Sequence, residues 1–158
     1  MREADGYRED IARTATHLAS MGWAEANAGN ISILLPPAMQ AVDGRTLSEA
    51  LPRPVPGLAG RSLLVTVSGS RFRNASRDMD RSIVPVRVSM DGERMERPDG
   101  TPPPTSELGT HLLVHELAPD RKLESAALVH THSTSMLALS SSDLPAEMVR
   151  GVLGVHGR

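Results

Sequence analysis

The chain has 158 residues, no cysteine, and 17 Lys+Arg against 19 Asp+Glu for a formal net charge of −2. That length suits one domain with its own core, and the charge balance excludes a global field that recruits nucleic acid or anionic lipid. Without cysteine there are no disulfides, thiolate nucleophiles or cysteine zinc sites, which leaves His, Asp and Glu as metal ligands and fits a cytoplasmic protein.

In chain order, Ile11, Ala15, Leu18 and Ala19 recur at helical spacing between Tyr7 and Met21, and Gly22 is a natural stop, so the first element is an amphipathic helix. ISILL follows the loop GWAEANAGN as a short strand closed by Pro36 and Pro37. The proline-rich stretch 36–60 reads as an irregular surface excursion. SLLVTV, residues 62–67, is a second strand ending in the turn residues Ser68-Gly69-Ser70, and VPVRVSM pairs with ERMER across Asp91-Gly92 as a hairpin. After a proline run at 102–104, Leu108, Leu112, Leu113 and Leu117 mark a second helix with Thr105 or Ser106 as its N-cap. AALVHT is a further strand, and Ser133 or Thr134 caps a short helix through MLAL. Hairpins outnumber clean crossovers, so the expected fold is α/β or α+β with a mainly antiparallel sheet, in a single domain over 1–158.

Four constellations carry possible chemistry. His130 and His132 stand two apart behind an apolar run, a spacing that on a strand projects both rings from one face towards a common metal ion. The alternative is one buried and one solvent-facing histidine, since a catalytic zinc needs a third protein ligand. Asn27, Gly29 and Asn30 lie between helix and strand, where small residues admit a close ligand and the amides offer donors to phosphate, or simply make an Asx turn. Ser68 and Gly69 end a strand beside Arg71 and Arg73, as an anion cradle or a plain loop. Thr105, Ser106 and Glu107 open a helix, where N–H groups favour an anion and Glu107 is either structural or a general base. His111 and His115, one turn further, are an alternative metal pair or packing residues among leucines. Lys122 is the only lysine and sits in a polar loop, a poor setting for a Schiff-base amine. Three aromatic residues are too few for base-stacking platforms.

The order of GWAEANAGNIS, LLVTVSGSRFRN, PTSELGTHLLVH and LVHTHSTSMLAL along the chain resembles the class II aldolase/adducin superfamily, and within it the rhamnulose-phosphate aldolase branch. The resemblance implies a three-layer α/β/α fold around a mainly antiparallel sheet, cytoplasmic homo-oligomers (tetramers in the family), and cleavage of a ketose 1-phosphate to dihydroxyacetone phosphate and an aldehyde through a zinc-stabilised enediolate. It implies that Asn27, Gly29, Asn30, Ser68, Gly69, Thr105 and Ser106 hold the substrate phosphate, that Glu107 transfers the proton, and that His130 and His132 bind one zinc ion per subunit. No nucleic acid or membrane partner is implied.

The chain departs from the family pattern in two places. Ser70, followed by Arg71, replaces the lysine that follows the Ser-Gly pair in the related branch. Family members also continue through strands bearing a third zinc histidine, so this chain is expected to be truncated at the C-terminus, with exposed apolar edges; His156 aligns ahead of the missing ligand. Two other readings stay open: a non-catalytic, adducin-like assembly module, and a sugar-phosphate dehydratase or epimerase that uses the same residues.

Overall fold

The computed structural model describes residues 4–117 and 126–141. Lys122, His156 and the tail from Glu147 lie outside the described residues.

Helix α1 (Asp5–Ser20) turns one stripe inward, with Ile11, Ala12 and Ala15 buried. Strands β1 (Asn30–Leu34), β2 (Thr46–Ala50), β3 (Ser62–Thr66), β4 (Ile83–Val88), β5 (Arg94–Pro98) and β6 (Ala126–His130) form one sheet in the order β2-β5-β4-β3-β1-β6, and every pair is antiparallel. The short α2 (Met79–Ser82) leads into β4, its first turn held by the Asp78 carboxylate accepting from the Arg81 N–H. Helix α3 (Leu108–Leu117) and the short α4 (Thr134–Ser140) complete the described elements.

Both faces of the sheet are covered, which is the α/β/α layering expected from the sequence. On one face α1 packs through Ile11, Ala12 and Ala15 onto Ile31, Ile33, Leu64 and Phe72. On the other, Leu108 and Leu112 of α3 pack onto Val65, Val67, Val84 and Val86. Successive strand residues point to opposite faces, and all five residues of β1 are buried because each face has a cover.

One expectation is corrected. The stretch 36–60 is not wholly irregular: it contains β2 and contributes buried Val42, Val55 and Leu58 to the interior. The strand escapes pattern reading because TLSEA is an edge strand with little alternation. Its place is set by main-chain pairing with β5, from Thr46 opposite Pro98 to Ala50 opposite Arg94, rather than by apolar side chains. Two caps also differ in detail. Ser133 occupies the N-cap position of α4 without a side-chain bond, and the Thr105 hydroxyl accepts from the Glu107 N–H, making a turn ahead of α3.

Candidate active site at one end of the sheet

The antiparallel register brings the start of β1 beside the ends of β3 and β6. Asn30 pairs with His130, and the N–H of Ile31 donates to the Thr66 hydroxyl at 3.1 Å. Each sequence constellation is attached to this end. The Ser68 N–H donates to the Pro103 carbonyl (3.0 Å) and the Thr105 N–H to the Thr66 carbonyl (2.9 Å), which draws the Ser68-Gly69 turn alongside the lead-in to α3. Gly69 has φ +72°, the left-handed conformation this turn requires and glycine adopts without a steric cost.

The loop before β1 reaches the same place. Gly29 has φ +91°, and a Cβ there would lie 2.9 Å from the His130 carbonyl oxygen and 3.3 Å from the Phe72 ring. Only glycine lets the loop lie so close to both neighbours. The N–H of His132 donates to the Trp23 carbonyl at 2.9 Å, tying the segment after β6 to the same loop. Asn27, Ser68, Gly69 and Ser106 are exposed around this end, whereas Thr105 is buried.

The strand ends at His130, so His132 lies just beyond it. Nevertheless the two rings lie together, with centroids 4.8 Å apart. His130 Nδ1 lies 2.6 Å from Glu107 Oε2, and Asn30 hydrogen-bonds the same carboxylate. Partial burial pushes the Glu107 carboxyl up, but the hydrogen bonds from Asn30 and His130, with the charges of His130 and His111, outweigh this and hold it below its ordinary value. Glu107 is therefore an ionised carboxylate at neutral pH.

Behind Glu107 is a buried polar network. The Asn30 side-chain oxygen meets His111 Nε2 in a short hydrogen bond. Ser32 Oγ lies 2.7 Å from His111 Nδ1 and 2.8 Å from His115 Nε2. Burial lowers the pKa of both imidazoles, that of His115 to about 4, with the charges of His111 and Arg61 adding to the effect. His111 and His115 are thus buried, hydrogen-bonded side chains, and both are neutral at physiological pH. The side chain of Asn30 thus bridges His111, through its oxygen, and Glu107, through one of its two amide hydrogens.

The role of this network was missed in the sequence, although its signal was present. His111 and His115 share the i, i+3, i+4, i+7 stripe of Leu108 and Leu112, and Asn30 and Ser32 alternate onto the face of β1 that this stripe covers. What could not be read was that α3 packs over β1.

The donor set fits part of a zinc site. Imidazoles are ordinary zinc ligands, and with Nδ1 of His130 turned to Glu107 its Nε2 is left to face an ion, an arrangement in which a carboxylate orients a ligating histidine. A catalytic zinc takes three protein ligands, and among the described residues no group of three His, Asp or Glu side chains is placed to hold an ion.

Comparison with known proteins identifies the family. Residues 9–154 match the family model described as Class II Aldolase and Adducin N-terminal domain. The chain is 31% identical over 141 residues to a rhamnulose-1-phosphate aldolase of Listeria monocytogenes, covering 85% of this chain and 52% of the relative. With the rhamnulose-1-phosphate aldolase of Listeria innocua it is 32% identical over 145 residues, covering 87% and 53%. The chain thus spans about half the length of the curated relatives it matches. The crystal structure of a sugar-phosphate aldolase from Thermotoga maritima superposes with a TM-score of 0.76 at 31% identity, covering 94% of this chain and 62% of that one. From its fold, the convergence of its motifs and the match over residues 9–154, the chain belongs to the class II aldolase and adducin N-terminal domain family.

Proposed function

We propose that this chain carries the reacting site of a class II aldolase that cleaves a ketose 1-phosphate of the rhamnulose-1-phosphate type into dihydroxyacetone phosphate and an aldehyde. The observation that carries the reading is the Glu107 carboxylate, 2.6 Å from Nδ1 of His130, whose ring in turn lies 4.8 Å from that of His132. An adducin-like assembly module has no need of an ionised carboxylate held in this way.

In the reaction the carbon–carbon bond breaks and its electron pair stays on the carbon of the dihydroxyacetone phosphate half. The ionised Glu107 carboxylate takes up the hydroxyl proton released from the other carbon as the aldehyde forms. Glu107 delivers a proton to the carbanionic carbon, and in the reverse direction removes it. Asn27, Gly29, Ser68, Gly69, Thr105 and Ser106 hold the phosphate through neutral donors and so orient the reacting carbons, with Arg71 and Arg73 adding positive charge nearby. Asn30 contributes by holding Glu107. Zinc dependence belongs to the same reading: His130 and His132 would hold the ion, which would supply Lewis-acid chemistry to the ketol oxygens. Assembly into a homo-oligomer is part of the proposal as well.

The test is the half-reaction. Protein incubated with zinc and dihydroxyacetone phosphate in deuterated water should exchange one carbon-bound hydrogen, followed by proton NMR. Glu107→Gln should slow that exchange by about 10²–10⁴-fold while the fold is retained. Exchange at the same rate in both proteins would refute the role of Glu107, and its absence from zinc-loaded wild type would refute the aldolase reading.

A further inference from the structure

The polar residues between α3 and β1 form a chain whose hydrogen-bond direction can be worked out from one end. The Glu107 carboxylate can only accept, so the group of Asn30 facing it is the amide N–H. The Asn30 oxygen then faces His111 and can only accept, so His111 carries its proton on Nε2. A neutral His111 has a bare Nδ1, which must accept from the Ser32 hydroxyl, 2.7 Å away. Having given its one proton, Ser32 Oγ must accept from His115 Nε2–H at 2.8 Å. Each donor meets an acceptor, and reversing any one link would place two protons or two lone pairs face to face.

The location of this chain makes it more than a way to satisfy buried groups. Ser32, His111, Asn30 and His115 are 0%, 1%, 6% and 7% exposed, so water cannot substitute for a missing link. The other end of the chain is Glu107, which is partly open to solvent. A carboxamide alone could turn over and present its oxygen to the carboxylate, a repulsive contact, and the Nε2–H of His111 removes that option.

We propose that His111, backed by Ser32 and His115, is a positioning residue that locks the Asn30 carboxamide in one orientation, so that its N–H holds the Glu107 carboxylate against the Nδ1–H of His130. The inference rests on the reading of Glu107 and His130 as the reacting site, but its structural core can be tested without metal or substrate.

The experiment is long-range proton–nitrogen NMR of the histidine rings in the full chain at a pH where the rings are neutral. In wild type, His111 and His115 should show the Nε2–H pattern and His130 the Nδ1–H pattern. His111→Phe, which keeps the ring volume and removes both bonds, should cost His130 its Nδ1–H signature. His111→Gln, whose terminal amide reaches the place of the Nε2 donor, should restore it. A folded His111→Phe with His130 unchanged would overturn the proposal. So would a wild-type His111 protonated on Nδ1 or on both nitrogens, and that result decides the matter alone if His111→Phe does not fold. Failure of hydrogen exchange into dihydroxyacetone phosphate with the expected ring patterns intact would sink the aldolase reading and leave the positioning network standing.

Discussion

The two faces of β1 lie one residue apart and are built to different ends. Towards α1 the strand offers Ile31 and Ile33, which meet Ile11, Ala12 and Ala15 in an ordinary apolar core. Towards α3 it offers Asn30 and Ser32, and the helix answers with His111 and His115 where further leucines would pack more cheaply. Replacing buried apolar contacts by hydrogen-bonded polar ones gains little stability, because each group gives up water to make its bond. What the polar face gains is direction, since apolar side chains fill volume whereas hydrogen bonds also fix which atom points where. That direction leads to Glu107.

If the faces differ in this way, neighbouring substitutions should separate them. Ile31→Ala should be the most costly change, about 2–5 kcal/mol in a denaturant titration, through lost burial and the cavity left behind, with the histidine ring spectra unchanged. A cost well under 1 kcal/mol would show that the α1 face does not carry the stability assigned to it.

The pH profile probes the other face. His115 has its pKa lowered by burial from the ordinary 6.5 to about 4. Between those values the unfolded chain binds more protons than the folded one, so stability is fully present above the unfolded value and is lost as pH falls towards the folded one. The loss should be on the order of 3 kcal/mol, and His115→Phe should flatten that part of the profile. A wild-type stability that stays level from pH 6.5 to 4 would contradict the buried neutral imidazole.

Ser32→Ala removes only one oxygen atom, yet it leaves His111 Nδ1 and His115 Nε2 without their partner. The expected cost is about 1–3 kcal/mol, smaller than that of Ile31→Ala, together with altered ring patterns for both histidines. The two variants thus sort stability from orientation on a single strand.

Much of this architecture was legible because it is periodic. The apolar stripe of α1, the β-branched runs of β1 and β3, the Asp91-Gly92 hairpin and the leucine spacing of α3 each carry a local signal, and the structure places these elements within a few residues of the expected bounds. β2 carries none, since TLSEA is held by its main chain against β5. Within the candidate site, Glu107, His130 and His132 were singled out from residue type and order, and they do lie together. Asn30 was expected at the phosphate, because an asparagine beside glycine reads as a donor to an anion. What the sequence did not reveal is that its side chain bridges His111 and Glu107, His111 lying 81 residues away along the chain. Only the packing of α3 over β1 reveals that contact.

The most direct test of the central claim, that Glu107, His130 and His132 form one metal-dependent reacting site, is a zinc titration of wild type beside His130→Ala and Glu107→Gln. Wild type should bind zinc, His130→Ala should abolish that binding, and Glu107→Gln should weaken it about 10–100-fold by releasing the ring it orients. Equal zinc affinity in all three proteins would contradict the account.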